Sequence, residues 1–125
     1  MIQNIIMVAL GSCCGGVLRW LVSQFFQKFS FYHYPLGTFT VNVIGCFCIG
    51  LFYALFEKYN IGNQSVRLFL TVGFCGSFTT FSTFINENIS LLQNNNYVVS
   101  LIYLCLSIFL GMAALLLGAY IVRNV

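Results

Sequence analysis

Charged side chains are almost absent from this chain: only 6% of its residues are charged, and none of them is Asp. Soluble domains carry about 25% charged residues. With 60% hydrophobic residues and a mean hydropathy of +0.94, such a chain would precipitate in water. The composition therefore excludes an ordinary soluble domain and indicates an integral membrane protein.

Other scarce residue types exclude further classes of protein. The five Lys and Arg are scattered, so they form no basic patch for nucleic acid. One histidine, His33, and two acids give no nucleophile–base pair within a membrane, so no enzyme is expected. The six cysteines show no C-x-x-C spacing, which argues against a zinc or haem site. They are expected to behave as small hydrophobes.

Four apolar runs are long enough to cross a bilayer as helices, since about 20 residues are needed. Pro35 is expected to be the first residue of the second helix. Because backbone groups in lipid must be paired internally, the sequence predicts an all-α integral membrane protein of one domain, residues 1–125. The predicted spans are residues 3–26, 36–56, 66–92 and 97–122.

The positive-inside rule gives this chain only a weak orientation signal. Lys58, Arg67 and Arg123 would lie on the side of the termini, and Lys28 would lie alone on the other side. Insertion in both orientations is therefore open, as is a single orientation set by this bias. A bundle of four helices has little room to enclose a solvated path, so an oligomer is expected.

Small and polar side chains recur at helical spacing in three of the predicted spans. The sets are Gly11, Gly15 and Arg19 in the first span, Thr38, Asn42 and Gly45 in the second, and Tyr103, Ser107 and Gly111 in the fourth. Polar groups at membrane depth are costly and are therefore functional candidates. The alternative is that the glycines only pack helices together and that the hydroxyls bond to their own helix carbonyls.

The third span contains the segment GFCGSFTTFSTF, which places five hydroxyls among four phenylalanines. Gly73 and Gly76 predict a break near the middle of this helix, because glycine tolerates non-helical backbone. The freed carbonyl oxygens would suit a hard cation such as Na+. Hydroxyl and amide donors, together with the positive ring edges of Phe81 and Phe84, would instead suit a small anion.

A carboxylate is not expected among these groups. Glu87 lies near the end of the third span, between Asn86 and Asn88, and is expected to be an interfacial or helix-end group.

Three segments closely resemble the CrcB/Fluc family of small bacterial fluoride channels: GGVLRW (Gly15–Trp20), GTFTVNVIG (Gly37–Gly45) and GFCGSFTTFSTF (Gly73–Phe84). The resemblance implies a multi-pass protein of the bacterial plasma (inner) membrane that passively exports cytoplasmic fluoride and lowers its toxicity. It also implies an antiparallel, dual-topology homodimer with two fluoride paths. The expected partners are fluoride, the lipid bilayer and a second copy of the chain, with no nucleic acid.

The resemblance also implies roles for individual residues. It places Arg19 in an aqueous vestibule, and it has the backbone carbonyls of Gly76 and Thr79 from both subunits hold a structural Na+ at the dimer centre. Thr38 is added to the fluoride path because it shares a helix face with Asn42. The full candidate path is Asn42, Phe81, Phe84, Ser82, Thr83, Thr38, Tyr103 and Ser107.

Two other interpretations stay open. A small dual-topology, proton-coupled multidrug transporter would also be a four-helix dimer, but it would need a carboxylate in the first span, where this chain has Arg19 and no acid. A subunit that only packs against partners would explain the small residues, but it gives no reason for aligned donors and paired phenylalanines.

Overall fold

The computed structural model describes residues 1–29 and 34–125, which form four long helical passages. All four are long and apolar enough to cross a membrane, so the predicted all-α fold with four membrane-spanning helices is confirmed. The loop that contains His33 lies outside the described residues. The elements are α1 (Ile2–Gln27), α2 (Leu36–Tyr59), α3 (Gln64–Leu68), a π-helical segment (Phe69–Cys75), α4 (Gly76–Phe78), α5 (Ser82–Gln93) and α6 (Tyr97–Asn124).

Turn-forming residues set the ends of these helices. Pro35 directly precedes α2 with a non-helical ψ of 72°, so the prediction that it is the first helical residue is wrong by one position. After α2, Asn60 adopts the left-handed backbone with φ 47°, which Asn tolerates better than most residues. Asn63 then caps α3, because its side-chain oxygen accepts a hydrogen bond of 3.0 Å from the Val66 amide.

Both termini lie at the same end of the bundle as the connection between α2 and α3. The Ser65 hydroxyl donates to Asn4 Oδ1 at 2.9 Å, which joins the start of α3 to the start of α1. The Lys58 ammonium donates to the Val122 carbonyl at 2.9 Å, which joins the end of α2 to the end of α6. Because the chain makes four passages, an even number, its two termini must lie at the same end of the bundle.

Glycines bring α1 into backbone contact with the third passage. A Cβ atom on Gly11 would meet the carbonyl oxygen of Phe69. A Cβ atom on Gly15 would meet both the Phe74 carbonyl oxygen and the Ser77 hydroxyl. The G-x-x-x-G pair of the first span therefore serves close packing within the chain.

The most extensive helix pair is α2 with α6, and it too depends on glycines. A Cβ atom on Gly50 would meet the carbonyl oxygen of Leu115, and one on Gly118 would meet the carbonyl oxygen of Phe47. Because α2 also contacts α1 and the third passage, it is the helix against which the other three are positioned.

The third passage is not helical at residues 79–81, between α4 and α5. Thr79 has extended backbone, with φ −82° and ψ 159°. The two glycines at which the sequence analysis places a break are themselves helical: Gly73 lies in the π-helical segment, and Gly76 has φ −62° and ψ −36°. Gly73 instead allows close approach, because a Cβ atom there would lie 2.8 Å from the Val8 carbonyl oxygen. Residues 79–81 are called the link below.

Gly15→Ala should lower the stability of the protein, whereas Gly16→Ala should not. The added methyl group at position 15 would strike backbone, and overpacking of this kind costs about 1–3 kcal/mol. Gly16 is the matched control because a Cβ atom there has nothing within 4 Å. The fraction of purified protein that stays monodisperse after heating measures the difference. Equal thermal stability of the two variants would contradict the glycine-mediated packing of α1.

Candidate functional site

The Asn42 side chain of α2 pairs with the backbone of the link in both directions. Its Nδ2 donates to the Thr80 carbonyl at 3.0 Å, and its Oδ1 accepts from the Thr80 amide at 2.8 Å. The amide group thus replaces the helical partners that Thr80 lacks. Gly45 permits the close approach, because a Cβ atom there would meet the methyl group of Thr79.

The link leaves carbonyl oxygens without helical donors. Within residues 1–29 and 34–125, the backbone carbonyls of Gly76, Ser77, Phe78 and Thr79 accept no hydrogen bond. The Thr80 amide, which would bond to Gly76 in a continuous helix, is taken by Asn42. Unpaired carbonyl oxygens, which include those of Gly76 and Thr79, are suitable ligands for a hard cation.

A cavity of about 340 Å³ opens beside the link. Its walls come from α2, the link, α5 and α6, and most of its lining is apolar. The polar and aromatic residues that line it are Asn42, Thr79, Thr80, Phe81, Phe84 and Ser107. The structure therefore brings together four of the residues that the sequence analysis assigns to a fluoride path, which are Asn42, Phe81, Phe84 and Ser107.

Ser107 has a hydroxyl group that is buried and unpaired. Its Oγ atom accepts and donates no hydrogen bond among the described residues, although it lines the cavity. A buried polar group without a partner costs about 1–3 kcal/mol. This unpaired hydroxyl belongs to a residue of the cavity wall, although its oxygen has almost no accessible surface.

The two phenylalanines of the cavity differ in exposure. Phe81 is 74% exposed and Phe84 is 7% exposed, with ring centroids 6.1 Å apart. Behind them, the fully buried Tyr103 packs edge-on against Phe84, with centroids 4.9 Å apart and an angle of 84° between the rings. The contact with Tyr103 fixes the ring of Phe84, whereas Phe81 lies on the surface of the single chain.

Glu87 hydrogen-bonds two of the candidate residues, and it lines a polar pocket with Gln27, Pro35 and Asn96 at the ends of their helices, so its position near an interface stays a prediction. Its Oε1 accepts from the Thr38 hydroxyl at 2.5 Å, and its Oε2 accepts from the Tyr103 hydroxyl at 2.8 Å. The expectation that no carboxylate accompanies the candidate groups is wrong for Thr38 and Tyr103, which both donate to Glu87. The signal in the sequence is that Glu87 follows Phe84 by three residues and so shares its helix face.

The remaining candidate residues lie outside the cavity. Ser82 and Thr83 are exposed in the first turn of α5. Thr38 and Tyr103 face Glu87 and donate their hydroxyls to its carboxyl group. Arg19 is half-buried in α1 and forms no hydrogen bond or ion pair with any described residue.

Comparison with known proteins gives consistent matches over the whole chain. Residues 6–119 match the family model described as CrcB-like protein, Camphor Resistance (CrcB). A fluoride-specific ion channel FluC of Gloeothece citriformis is 46% identical, over 97% of this chain and 98% of that protein. Proteins of the same name from Flavobacterium psychrophilum and Azobacteroides pseudotrichonymphae are 41% and 42% identical, over 98% and 94% of each chain.

Asn42→Ala should speed hydrogen exchange of the Thr80 amide about fivefold, because a lost hydrogen bond of about 1 kcal/mol corresponds to that factor. Asn42→Asp keeps the acceptor oxygen and should change this rate less. The Thr79 amide is the internal control, since its partner is the Cys75 carbonyl at 3.0 Å. Amide-resolved NMR in lipid makes the measurement. An unchanged Thr80 rate in Asn42→Ala would show that Asn42 does not hold the link.

Proposed function

The chain belongs to the CrcB family, and on that premise we propose that it is a fluoride-selective ion channel through which cytoplasmic fluoride leaves passively. It is a multi-pass membrane protein, and the proposed site is the plasma membrane of a bacterium. An inside-negative potential drives an anion outward with about 2.3 kcal/mol per charge per 100 mV. The protein would act without catalysis.

The observation that carries this proposal is the unpaired Ser107 hydroxyl in the cavity that Asn42 and Phe84 also line. Fluoride only accepts hydrogen bonds, so it matches a free hydroxyl donor. Asn42 has a second N–H besides the one bonded to Thr80. The ring edges of the phenylalanines add weak positive charge.

The multidrug-transporter alternative is not favoured. A transporter of that kind would place a carboxylate in the first span, and α1 contains none. The two carboxyl groups of the chain are Glu57, which is exposed near the end of α2, and Glu87 in α5, whose two oxygens both accept hydroxyl donors. The names of the relatives also describe channels specific for fluoride.

We propose further that the working unit is an antiparallel homodimer. The cavity of one chain is bounded on only part of its circumference, and Phe81 beside it is 74% exposed. A second copy would close the cavity and cover this ring. The few cations, with Lys58, Arg67 and Arg123 at one end and Lys28 at the other, leave both orientations accessible.

The same dimer would complete a sodium site. The Gly76 and Thr79 carbonyls fit a hard cation because they are unpaired, but two oxygens are too few for its coordination shell. A second copy would supply an equal set. When bound, the ion would neutralise these carbonyl dipoles and tie the two links together.

Fluoride efflux tests the channel directly. In liposomes loaded with potassium fluoride and given valinomycin, the native protein should release fluoride quickly and chloride slowly. Phe81→Ile and Phe84→Ile should reduce fluoride release below about a tenth, and Ser107→Ala about fivefold for one lost donor. Phe109→Ile is the matched control, because Phe109 is 69% exposed on α6. No release by the native protein, or native release by all three cavity variants, would overturn the proposal.

Dual topology predicts that one site labels from both sides of the membrane. Ile61 is 49% exposed in the connection between α2 and α3, so Ile61→Cys offers a reachable thiol. A membrane-impermeant maleimide should label about half of the protein in intact cells and the other half in inverted vesicles. The unsubstituted chain is the blank. Labelling from one side only would exclude the antiparallel dimer.

A further inference from the structure

Helix α5 starts anew after the link, so the helix before it does not determine its orientation. Its own contacts do, and they are mainly with α6 and more weakly with α2. This matters because α5 carries Phe84 into the cavity. The rotation of α5 about its axis therefore sets where this ring lies.

A buried polar pair joins α5 to α6 one turn beyond Phe84. The Ser100 hydroxyl of α6 donates to Asn88 Oδ1 at 3.0 Å. Asn88 Nδ2 in turn donates to the Phe84 carbonyl at 2.8 Å. Both side chains are buried, with 5% of Asn88 and 1% of Ser100 exposed. The hydrogen bonds thus run from α6 through Asn88 to the backbone of the residue that lines the cavity.

Packing alone does not require this pair. Apolar side chains of similar volume would fill the same space, and buried polar pairs often add little to stability compared with them. A hydrogen-bonded amide does define one register, because a rotation or slip of α5 would leave Asn88 Oδ1 and the Ser100 hydroxyl unpaired at membrane depth. The pair is therefore better explained by setting the register of α5 against α6 than by stabilising the contact between these helices.

We propose that Asn88 and Ser100 are positioning residues for Phe84: they hold α5 in the register that presents its ring to the cavity. Neither residue lines that cavity. The inference rests on the proposed fluoride channel, in which Phe84 contacts the ion. Their effect on conduction would be exerted only through the position of this ring.

The test compares variants that remove the Ser100 hydroxyl or the Asn88 amide with a variant that keeps a hydroxyl at position 100. Ser100→Ala and Asn88→Ala should reduce fluoride efflux at least fivefold per folded protein, and Ser100→Thr should restore most of it. Asn86→Ala is the matched control, because Asn86 is an exposed asparagine on the same helix with no hydrogen bond to a described residue. Native protein is measured in the same liposomes.

A spectroscopic measurement that does not depend on flux accompanies these assays. A single 4-fluorophenylalanine at position 84 should shift or broaden its 19F NMR signal in Ser100→Ala and Asn88→Ala, but not in Ser100→Thr or Asn86→Ala. A native 19F signal in Ser100→Ala and Asn88→Ala would overturn the positioning role. Native fluoride flux in these two variants would overturn it as well, as would a loss of flux that is explained by a loss of stability. Absence of flux in the native protein would instead contradict the proposed channel, while the NMR result would still test the pair.

Discussion

The pairing of every backbone polar group is the constraint on which this structure depends, because no water replaces a missing partner at membrane depth. The link breaks that pairing in the third passage, and the Asn42 amide restores it for Thr80 alone by acting as donor and acceptor. Among short side chains, Asn combines both functions in one planar group. The unpaired carbonyl of Gly76 therefore depends on an amide of a different helix.

Close helix approach is the second requirement for this arrangement. Asn42 reaches the link only because α2 lies against it, and Gly45, nearly one turn further along α2, leaves room for the Thr79 methyl group. Thr38, one turn before Asn42, bonds to Glu87 on the far side of the link. One face of α2 thus holds the third passage on both sides of its interruption, which keeps a non-helical segment ordered inside a bundle.

The sequence predicts properties that are local and misses those that depend on distant partners. Hydropathy along the chain was enough to predict four helices, and the rarity of polar groups was enough to single out Asn42 and Ser107. The position of the interruption was not predictable from Gly73 and Gly76, because glycine permits a break without requiring one. An amide 38 residues away in the chain pairs with the backbone at the interruption. The contacts of Glu87 with Thr38 and Tyr103 were missed because these partners lie on α2 and α6, and hydropathy does not show such contacts.

The carboxyl group of Glu87 limits which donors an anion in the cavity could use. Thr38 and Tyr103 donate their hydroxyls to Glu87, so an incoming ion meets Ser107, the second N–H of Asn42 and the ring edges. A charged carboxylate repels fluoride and chloride by the same Coulomb energy at a given distance. Discrimination between the two anions then has to come from short hydrogen bonds to a few donors in an otherwise apolar wall. Such bonds stabilise the smaller ion more, since it approaches each donor more closely, and we propose that they favour fluoride to the extent that they replace its more costly hydration.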